Sequence, residues 1–490
     1  MKSTLLIFAA ITALSSVGLA QKIENPNEKL MREQEGTQSL LQAQTTTGLG
    51  QPALVVSYGG FRAYQVNVTP GQQDTIGDAA NEPSIAVNPR NPLAMEIGWR
   101  QFDNAISGFR QAGCAWSSDG GRTWHSMPPL SDSNEPQFRS DPVLTCDANG
   151  HFYYDSYFCQ QNRCQIWNTE NDPNWLGPIN AWGGDKSWLA CDTNPKSPGF
   201  GNLYQCWSDF ESSSGHCTFS RSVPNAVGIH SGWDMPVPPS GFPSFGMVAV
   251  GPSGEVYDAG ISPDWRSCVI TRSDNAKDKF AMQVNFGPGH NFDLGGMLVA
   301  PEVNSAGLAG MTYCQVAGPA SPFHGTVYCL ASVGLWDQSG KPDATNVHTM
   351  FVKSLDGGRT FTEPVRVDAP SPSGPNNTAW FGTLSIAPNG RLDVVYNSTG
   401  YSDSYGPNTC VTLYTYSLDS GDHWSKPVRL TPAWDPSRGY PGGQSKIGDY
   451  YTTSSANDHV DLAFSATFSG GQDVYYMRIP APANSAPKSN

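Results

Sequence analysis

One eight-residue pattern recurs along the chain and constrains its fold more than any other feature. It has the form Ser-x-Asp-x-Gly-x-x-aromatic and is complete at residues 117–124, 354–361 and 417–424. Degenerate copies begin at residues 168, 220 and 273. Successive copies therefore start 51, 52, 53, 81 and 63 residues apart. Self-similarity at such a spacing indicates a repeat architecture, in which each unit buries its apolar face against its neighbours.

The chemistry of the pattern predicts a turn between two strands. Complete copies follow β-rich segments such as residues 349–353 and 411–416. The Asp carboxylate is suited to accept hydrogen bonds from turn amides, and Gly permits a positive φ. We therefore assign a structural role to Asp119, Asp356 and Asp419 and no part in catalysis.

The pattern resembles the Asp-box, or BNR repeat, of sialidase-like β-propellers. In that family the boxes join the outer strands of successive blades. The resemblance covers residues from about 57 to 480 and implies an all-β propeller of four-stranded antiparallel blades. The same box occurs in glycosidases, in lyases and in non-enzymatic propellers, so the resemblance implies the fold more strongly than the activity.

A second repeating unit, two strands joined by a tight turn, precedes each box and allows the blades to be counted. Its copies begin near Glu82, Asp141, Lys186, Phe245, Gly296, Phe381 and Gly448. The last copy lacks a box, and residues 62–68 are expected to supply its missing strand and so close the ring. Seven blades are preferred; the six blades of classical sialidases remain the alternative if one unit is an elaboration.

Composition supports this fold class. Charged residues make up 15% of the chain and aromatic residues 11%, whereas disorder needs the opposite balance. The 51 glycines and 39 prolines argue against a helical bundle. The net charge of −14 argues against a nucleic-acid partner, because phosphate binding needs a basic surface.

The chain ends predict the domain organisation and the compartment. Residues 1–20 resemble a signal peptide cleaved after Ala20, which predicts a secreted or periplasmic protein. Residues 21–56 are expected to form a flexible leader, 57–480 the propeller and 481–490 a flexible tail. No segment is long and apolar enough to predict a membrane span. The oligomeric state is not constrained.

Cysteine spacing fits an oxidising compartment. The chain has eleven cysteines, and Cys159 with Cys164, and Cys314 with Cys329, are close enough to staple hairpins. No C-x-x-C pair is present, so we predict no zinc site. No cofactor is predicted; structural Ca²⁺ is an alternative in the oxygen-rich stretch from Asp141 to Asp155.

Candidate site residues lie where the innermost strand of each blade begins, because these strands line the central channel. The seven starts are Asn81 and Glu82, Arg139 to Asp141, Asp185 and Lys186, Ser244 and Phe245, Asp293, Trp380 and Phe381, and Lys446 to Tyr450. Such a concentration of charge is unusual in a chain with 15% charged residues. It predicts either a pocket for an acidic sugar or a set of charges that satisfy one another across the channel.

The family resemblance implies roles for several of these residues. Arg139, in an echo of the family's Phe-Arg-Ile-Pro motif, is the candidate for binding a substrate carboxylate. Tyr450 is the candidate nucleophile, Asp141 or Asp185 the candidate acid, and Glu82 a further catalytic carboxylate. The remaining candidates for substrate binding are Arg100, Lys186, Lys446, Asp449 and Trp380.

Three functions are compatible with these residues. The leading hypothesis is an exported glycoside hydrolase acting on the end of an acidic or amino-sugar glycan. The second is a polysaccharide lyase with His290 or Tyr450 as the base and Arg139 with Lys186 as the electrophilic partners. The third is a propeller that binds a carbohydrate or a protein without turnover. Two carboxyl groups about 5–9 Å apart across a pocket would favour the hydrolase, and a plugged channel the binding propeller.

Overall fold

The computed structural model describes residues 50–170, 174–370, 377–401 and 409–483. The predicted signal peptide, the leader up to residue 49 and the tail from residue 484 lie outside these residues. Helix within the described residues is limited to two 3-10 turns, Cys159–Gln161 and Glu302–Asn304. No helix in the described ranges has the length and apolar character needed to cross a membrane.

The described strands form seven antiparallel sheets, which are the seven blades of a β-propeller. The chain begins with β1 (Val55–Tyr58) and β2 (Phe61–Gln65). Blade 1 contains β3 (Ala79–Val87), β4 (Met95–Phe102), β5 (Gln111–Ser117) and β6 (His125–Leu130). Blade 2 contains β7 (Arg139–Cys146), β8 (His151–Phe158), β9 (Arg163–Glu170) and β10 (Leu176–Asn180).

Blade 3 contains β11 (Trp188–Cys191), β12 (Leu203–Cys206) and β13 (Phe219–Ser222), with a bridge from Phe219 to Val237 in the place of a fourth strand. Blade 4 contains β14 (Ser244–Val250), β15 (Val256–Ile261), β16 (Cys268–Ser273) and β17 (His290–Phe292). Blade 5 contains β18 (Gly296–Met297), β19 (Tyr313–Val316), β20 (Val327–Trp336), β21 (Pro342–Ser354) and β22 (Val365–Arg366).

Blade 6 contains β23 (Ala379–Ile386), β24 (Leu392–Thr399), β25 (Cys410–Ser417) and β26 (Val428–Arg429). Blade 7 contains β27 (Thr452–Ser455), β28 (His459–Ala466) and β29 (Asp473–Pro480). The count of seven and the all-β class confirm the prediction, and the six-bladed alternative is not realised.

The N-terminal strand closes the ring, as predicted. β2 pairs with β29 in antiparallel register, with Ala63 opposite Met477 and Tyr64 opposite Tyr476. The Val66 N–H continues the pairing by donating to the Val474 carbonyl at 2.8 Å. β1 then adds to the outside of β2 and begins two residues before the predicted domain boundary at residue 57. Closure covers the edge of β29 that a linear array of blades would leave open.

The repeated boxes are turns with one shared hydrogen-bond pattern. In the copy at 354–361, the Ser354 hydroxyl donates to Asp356 Oδ1 at 2.8 Å and accepts from the Gly358 N–H at 2.8 Å. The same carboxylate oxygen accepts from the N–H groups of Arg359 and Thr360 at 3.1 and 2.9 Å. The copies at 117–124 and 417–424 repeat the bonds of the Ser, the Asp and the Gly.

The aromatic residue that ends each complete box packs against the preceding blade. Trp124 of blade 1 contacts Tyr476 of blade 7, with ring centroids 5.4 Å apart. The corresponding contacts are Phe361 with Phe292 at 4.7 Å and Trp424 with Phe351 at 5.2 Å. Each box therefore shapes a turn and joins two blades.

The innermost strand of blade 5 departs from the regular pattern. It is divided into β18 and β19, and residues 298–312 leave the sheet between them. The 3-10 turn Glu302–Asn304 lies in this excursion, which contacts the start of the innermost strand of blade 7. The sequence pattern near Gly296 predicted the start of this blade but not the interruption.

The predicted disulfides are not confirmed. All eleven cysteines lie within the described residues, and no disulfide is present among them. Cys314 and Cys329 are nevertheless directly opposite each other in the pairing of β19 with β20, and both are fully buried. Cys159 lies in the turn after β8 and Cys164 in β9.

Candidate functional site

A backbone feature repeated at the starts of the innermost strands determines which side chains point into the channel. Five non-glycine residues there have φ between 49° and 54°: Glu82, Asp141, Lys186, Phe245 and Phe381. At four of them the pairing of the innermost strand with its neighbour shifts in register. Such irregularities re-aim side chains, and non-glycine residues adopt a positive φ only where their surroundings fix it.

We call the end of the channel where the innermost strands begin the inlet end. Seven charged side chains converge there, and we call them the ionic cluster. They come from blades 1, 2, 3 and 7: Glu82, Arg100, Asp141, Asp185, Lys186, Lys446 and Asp449. All seven were predicted as site residues from the sequence. The structure therefore brings together residues that are up to 367 positions apart in the chain.

Lys186 lies at the centre of the ionic cluster. Its Nζ is 3.0 Å from Asp449 Oδ2, 3.3 Å from Asp185 Oδ1 and 3.4 Å from Asp141 Oδ1. Its backbone N–H also donates to Asp141 Oδ2 at 2.9 Å. One ammonium group thus joins carboxylates from three blades.

A second part of the ionic cluster is built on Glu82. Arg100 Nε is 3.2 Å from Glu82 Oε2, and Lys446 Nζ is 3.9 Å from Glu82 Oε1. Lys446 also bonds Asp449 Oδ2 at 2.9 Å, so Asp449 links the two parts. The ionic cluster therefore contains three cationic side chains and four carboxyl groups, so groups of opposite charge are nearly equal in number.

Burial separates the ionic cluster from solvent. None of the seven side chains is more than 4% exposed. The arrangement matches the second of the two sequence-based alternatives, in which the charges satisfy one another. A buried ion pair loses hydration on both sides, and only close partners offset that loss.

The pKa values of the four carboxyl groups in the ionic cluster are shifted in opposite directions. Burial alone would raise the pKa of Asp141 and Asp449, but Lys186 and the other cations outweigh it and hold both pKa values well below the usual range. Burial, with Asp141 nearby, raises the pKa of Asp185 well above its usual value although Lys186 opposes the shift. Burial raises the pKa of Glu82 to about 7 against the opposing effect of Arg100.

An aromatic layer lies beside the ionic cluster along the channel. The Trp188 ring meets the rings of Tyr450 and Tyr313 edge-on, with centroids 5.5 and 6.2 Å apart. The Tyr450 hydroxyl donates to the Pro142 carbonyl at 3.0 Å. Burial, reinforced by Glu82 and Asp141, raises the pKa of Tyr450 well above its usual value, which disfavours the phenolate that a nucleophile requires.

The structure does not bring Arg139 or Trp380 to the ionic cluster. Arg139 Nη2 is 3.8 Å from Asp132, and its guanidinium lies over the ring of Trp167, 4.6 Å from the centroid. Trp380 packs against Phe381, with centroids 4.5 Å apart, in the core between blades. Both side chains are fully buried.

Two other groups considered from the sequence also lie away from the ionic cluster. His290 is in β17, the outermost strand of blade 4. In the stretch considered for Ca²⁺, Asp141 belongs to the ionic cluster, Asp147 bonds His151, and Asp155 accepts from Ser187. Within the described ranges, no group of three or more His, Cys, Asp and Glu side chains is arranged to hold a metal ion.

A segment of blade 5 that the sequence does not predict also contacts the ionic cluster. In the 298–312 excursion, the Leu308 N–H donates to Asp449 Oδ1 at 2.7 Å. The Asn304 side-chain amide donates to the Gly448 carbonyl at 2.8 Å and accepts from the Ile447 N–H at 2.9 Å. These contacts lie within an irregular segment, and no charge or periodicity in the sequence marks them.

A cavity at the opposite end of the channel was also missed. This outlet cavity has a volume of about 440 Å³ and lies where the innermost strands of blades 2–7 end. Its lining includes Trp188, Leu189, Val248, Gln315, Ile386 and Ser455. The lining residues differ in size and polarity and lie on six different blades, so no local sequence pattern marks the cavity.

Comparisons with known proteins give similar folds at low identity. No family model matches the chain, and no curated protein matches it. A protein of unknown function from Dyadobacter fermentans has 12% identity and a TM-score of 0.47, over 86% of this chain and 98% of the other. A Hadza microbial sialidase has 12% identity and a TM-score of 0.41, over 81% and 65%. An ulvan lyase has 10% identity and a TM-score of 0.37, over 90% and 98%.

Proposed function

We propose that this protein is a propeller that binds its ligand without turning it over. The main support for this proposal is the burial of the ionic cluster. Its side chains are at most 4% exposed and are paired with one another. These are the side chains on which a sialidase-like mechanism would depend. In this arrangement their role is to hold blades 1, 2, 3 and 7 together at the inlet end.

The positions of the carboxyl groups support this proposal. A glycosidase places two carboxyl groups on either side of a sugar, about 5–9 Å apart. Here Asp141 and Asp185 both face the ammonium of Lys186, at 3.4 and 3.3 Å. Both carboxyl groups are therefore engaged by one buried ammonium group instead of standing free on either side of a substrate. Admitting a substrate would break buried ion pairs, which typically costs about 3–5 kcal/mol.

A second candidate function, glycoside hydrolysis, is favoured by one specific observation. The pKa of Asp185 is raised by burial, whereas the cations around Asp141 outweigh burial and lower its pKa. Two neighbouring carboxyl groups with separated pKa values are typical of an acid and its ionised partner. This function would require the inlet end to open.

Turnover by the purified full chain tests the proposal. The substrates are sialosides, neutral and acidic glycosides, and uronate polysaccharides, with released sugar and unsaturated-uronate absorbance read in parallel. We expect no product from folded protein. Released sugar that is lost in Asp185→Asn and Tyr450→Phe, but kept in Asp258→Asn as a buried control in blade 4, would establish hydrolysis instead. An unsaturated product would establish a lyase.

A further inference from the structure

We propose that the outlet cavity binds an uncharged, hydroxyl-rich ligand of one or two sugar rings, such as the neutral end of a glycan. The inference rests on the proposed function and supplies its ligand class. The cavity volume of about 440 Å³ lies within the range of about 300–1,000 Å³ that is usual for small-molecule sites. The cavity is separate from the ionic cluster, because Trp188 and its aromatic neighbours lie between them.

The walls of the outlet cavity offer hydrogen bonds from the backbone. The innermost strands β7, β11, β14, β19, β23 and β27 each pair with one neighbour only. A strand with one neighbour has N–H and C=O groups that point away from the sheet. Here those groups point toward the channel, so donors and acceptors alternate along the walls. A ligand that carries hydroxyl groups matches this pattern, since each hydroxyl both donates and accepts.

The charge of the lining argues for a neutral ligand. No Lys, Arg or His is among the described residues that line the cavity, and Asp192 is the one charged residue there. Its carboxylate is already engaged, by the Ser197 hydroxyl at 2.5 Å and by the Asn194 N–H at 3.1 Å. An acidic sugar would find no cation in this cavity, because the cations of the ionic cluster lie beyond the aromatic layer.

Two side chains give the outlet cavity its specificity. Trp188, which is 9% exposed, presents an apolar ring surface against which the C–H face of a sugar can pack. The half-buried Gln315 lines the cavity, and within the described part of the chain its carboxamide forms no hydrogen bond. A carboxamide donates and accepts at once and so suits two adjacent hydroxyl groups.

Calorimetric titration of the full chain tests this inference. The probes are methyl glycosides of glucose, galactose and N-acetylglucosamine and their β-1,4-linked disaccharides, with N-acetylneuraminic acid and glucuronic acid as charged comparisons. We expect at least one neutral probe to bind and the charged ones to bind more weakly. Gln315→Ala should weaken binding about three- to tenfold, the usual effect of one lost hydrogen bond.

A matched pair of variants locates the binding site. Ala320 lies in an exposed turn at the rim of the cavity, so Ala320→Trp should block access and abolish binding. Ala226 lies in an exposed turn away from the cavity, and Ala226→Trp should leave binding unchanged. Binding that survives Ala320→Trp, tighter binding of the acidic sugars, or no binding of any neutral probe would each overturn the inference. Product formation in the turnover assay would instead overturn the proposed function, so the two failures are distinguishable.

Discussion

Lys186 is the residue on which the ionic cluster depends, because its ammonium is the shared partner of three carboxyl groups. Lys186→Met keeps most of the side-chain volume but leaves those carboxyl groups without their central cation. We expect a loss of about 3–5 kcal/mol in the free energy of unfolding, as is usual for a broken buried ion pair. Urea unfolding followed by tryptophan fluorescence measures this loss.

The control for this prediction is an ion pair with an exposed partner. Lys353 Nζ is 2.6 Å from Asp422 Oδ1, and the Asp422 side chain is 62% exposed. Lys353→Met should cost less than about 1 kcal/mol. Equal losses for the two lysine variants would show that the ionic cluster contributes no more than a surface pair.

The buried carboxyl group of Asp258 is expected to make the free energy of unfolding depend on pH. This carboxyl group lies in β15, and burial raises its pKa to about 8 although a hydrogen bond with Cys206 opposes the shift. The folded protein therefore keeps the proton up to about pH 8, whereas the unfolded chain loses it near pH 4. Between these values the unfolded state binds fewer protons, so stability falls as pH rises, by up to about 1.4 kcal/mol per pH unit.

Asp258→Asn removes this contribution. We expect the difference in unfolding free energy between the variant and the parent to move in favour of the variant from pH 5 to pH 8 and to level off above it. Asp356→Asn serves as the control, since hydrogen bonds from Thr360 hold the pKa of Asp356 below its usual value and outside this range. A difference for Asp258→Asn that does not change with pH would contradict the assignment.

Asp141 and Arg139 lie two positions apart in the sequence, but only Asp141 reaches the ionic cluster. The charges at the starts of the innermost strands were predicted to meet, and six of them do, together with Arg100 from the neighbouring strand β4. Arg139, two positions before Asp141, instead lies over Phe158 and Trp167. The positive φ of Asp141 and the register shift beside it decide which of the two residues faces the channel. No residue type in this segment indicates the register shift.

The boxes are the elements whose role the sequence predicts best. Asp356→Ala removes the acceptor for the N–H groups of Arg359 and Thr360, so we expect a loss of about 1–2 kcal/mol, like that of a lost capping residue. Thermal unfolding measures this loss. Asp274→Ala, in a degenerate copy and outside the box position, should change stability little. Loss of ligand binding in Asp356→Ala without loss of stability would contradict a purely structural role.

Blade 5, unlike the boxes, contains a segment that the sequence does not predict. Its strands were located by the pattern near Gly296, but the excursion over residues 298–312 was not predicted. The stabilising bonds of this segment run to blade 7, from Leu308 to Asp449 and from Asn304 to Gly448. Contacts between segments about 140 positions apart leave no local periodicity for a sequence pattern to detect.

At the scale of the whole molecule, we expect the pairing of the two chain ends to limit the stability of the ring. Val66→Pro removes the N–H that bonds the Val474 carbonyl and disturbs a fully buried side chain. We expect a loss of about 2–4 kcal/mol in unfolding free energy together with a tendency to associate, because the edge of β29 is less well covered. Differential scanning calorimetry and size-exclusion chromatography measure the two effects.

The control for ring closure is a proline on the outermost strand of the same sheet. Val55 lies in β1, which pairs only with β2, and its side chain is 51% exposed. Val55→Pro should therefore shift the unfolding temperature much less than Val66→Pro. Equal shifts would mean that pairing of the chain ends does not limit the stability of the ring.

The sequence by itself determined the all-β class, the seven blades, the turns of the boxes and the closing strand, because these follow from local patterns repeated along the chain. The tertiary structure alone decided that the predicted charges are buried and paired, and that the open cavity lies at the other end of the channel. Burial and pairing depend on contacts between blades that are distant in sequence. Because of those contacts, we propose a neutral sugar at the outlet end as the ligand, whereas the sequence alone favoured an acidic sugar at the inlet end.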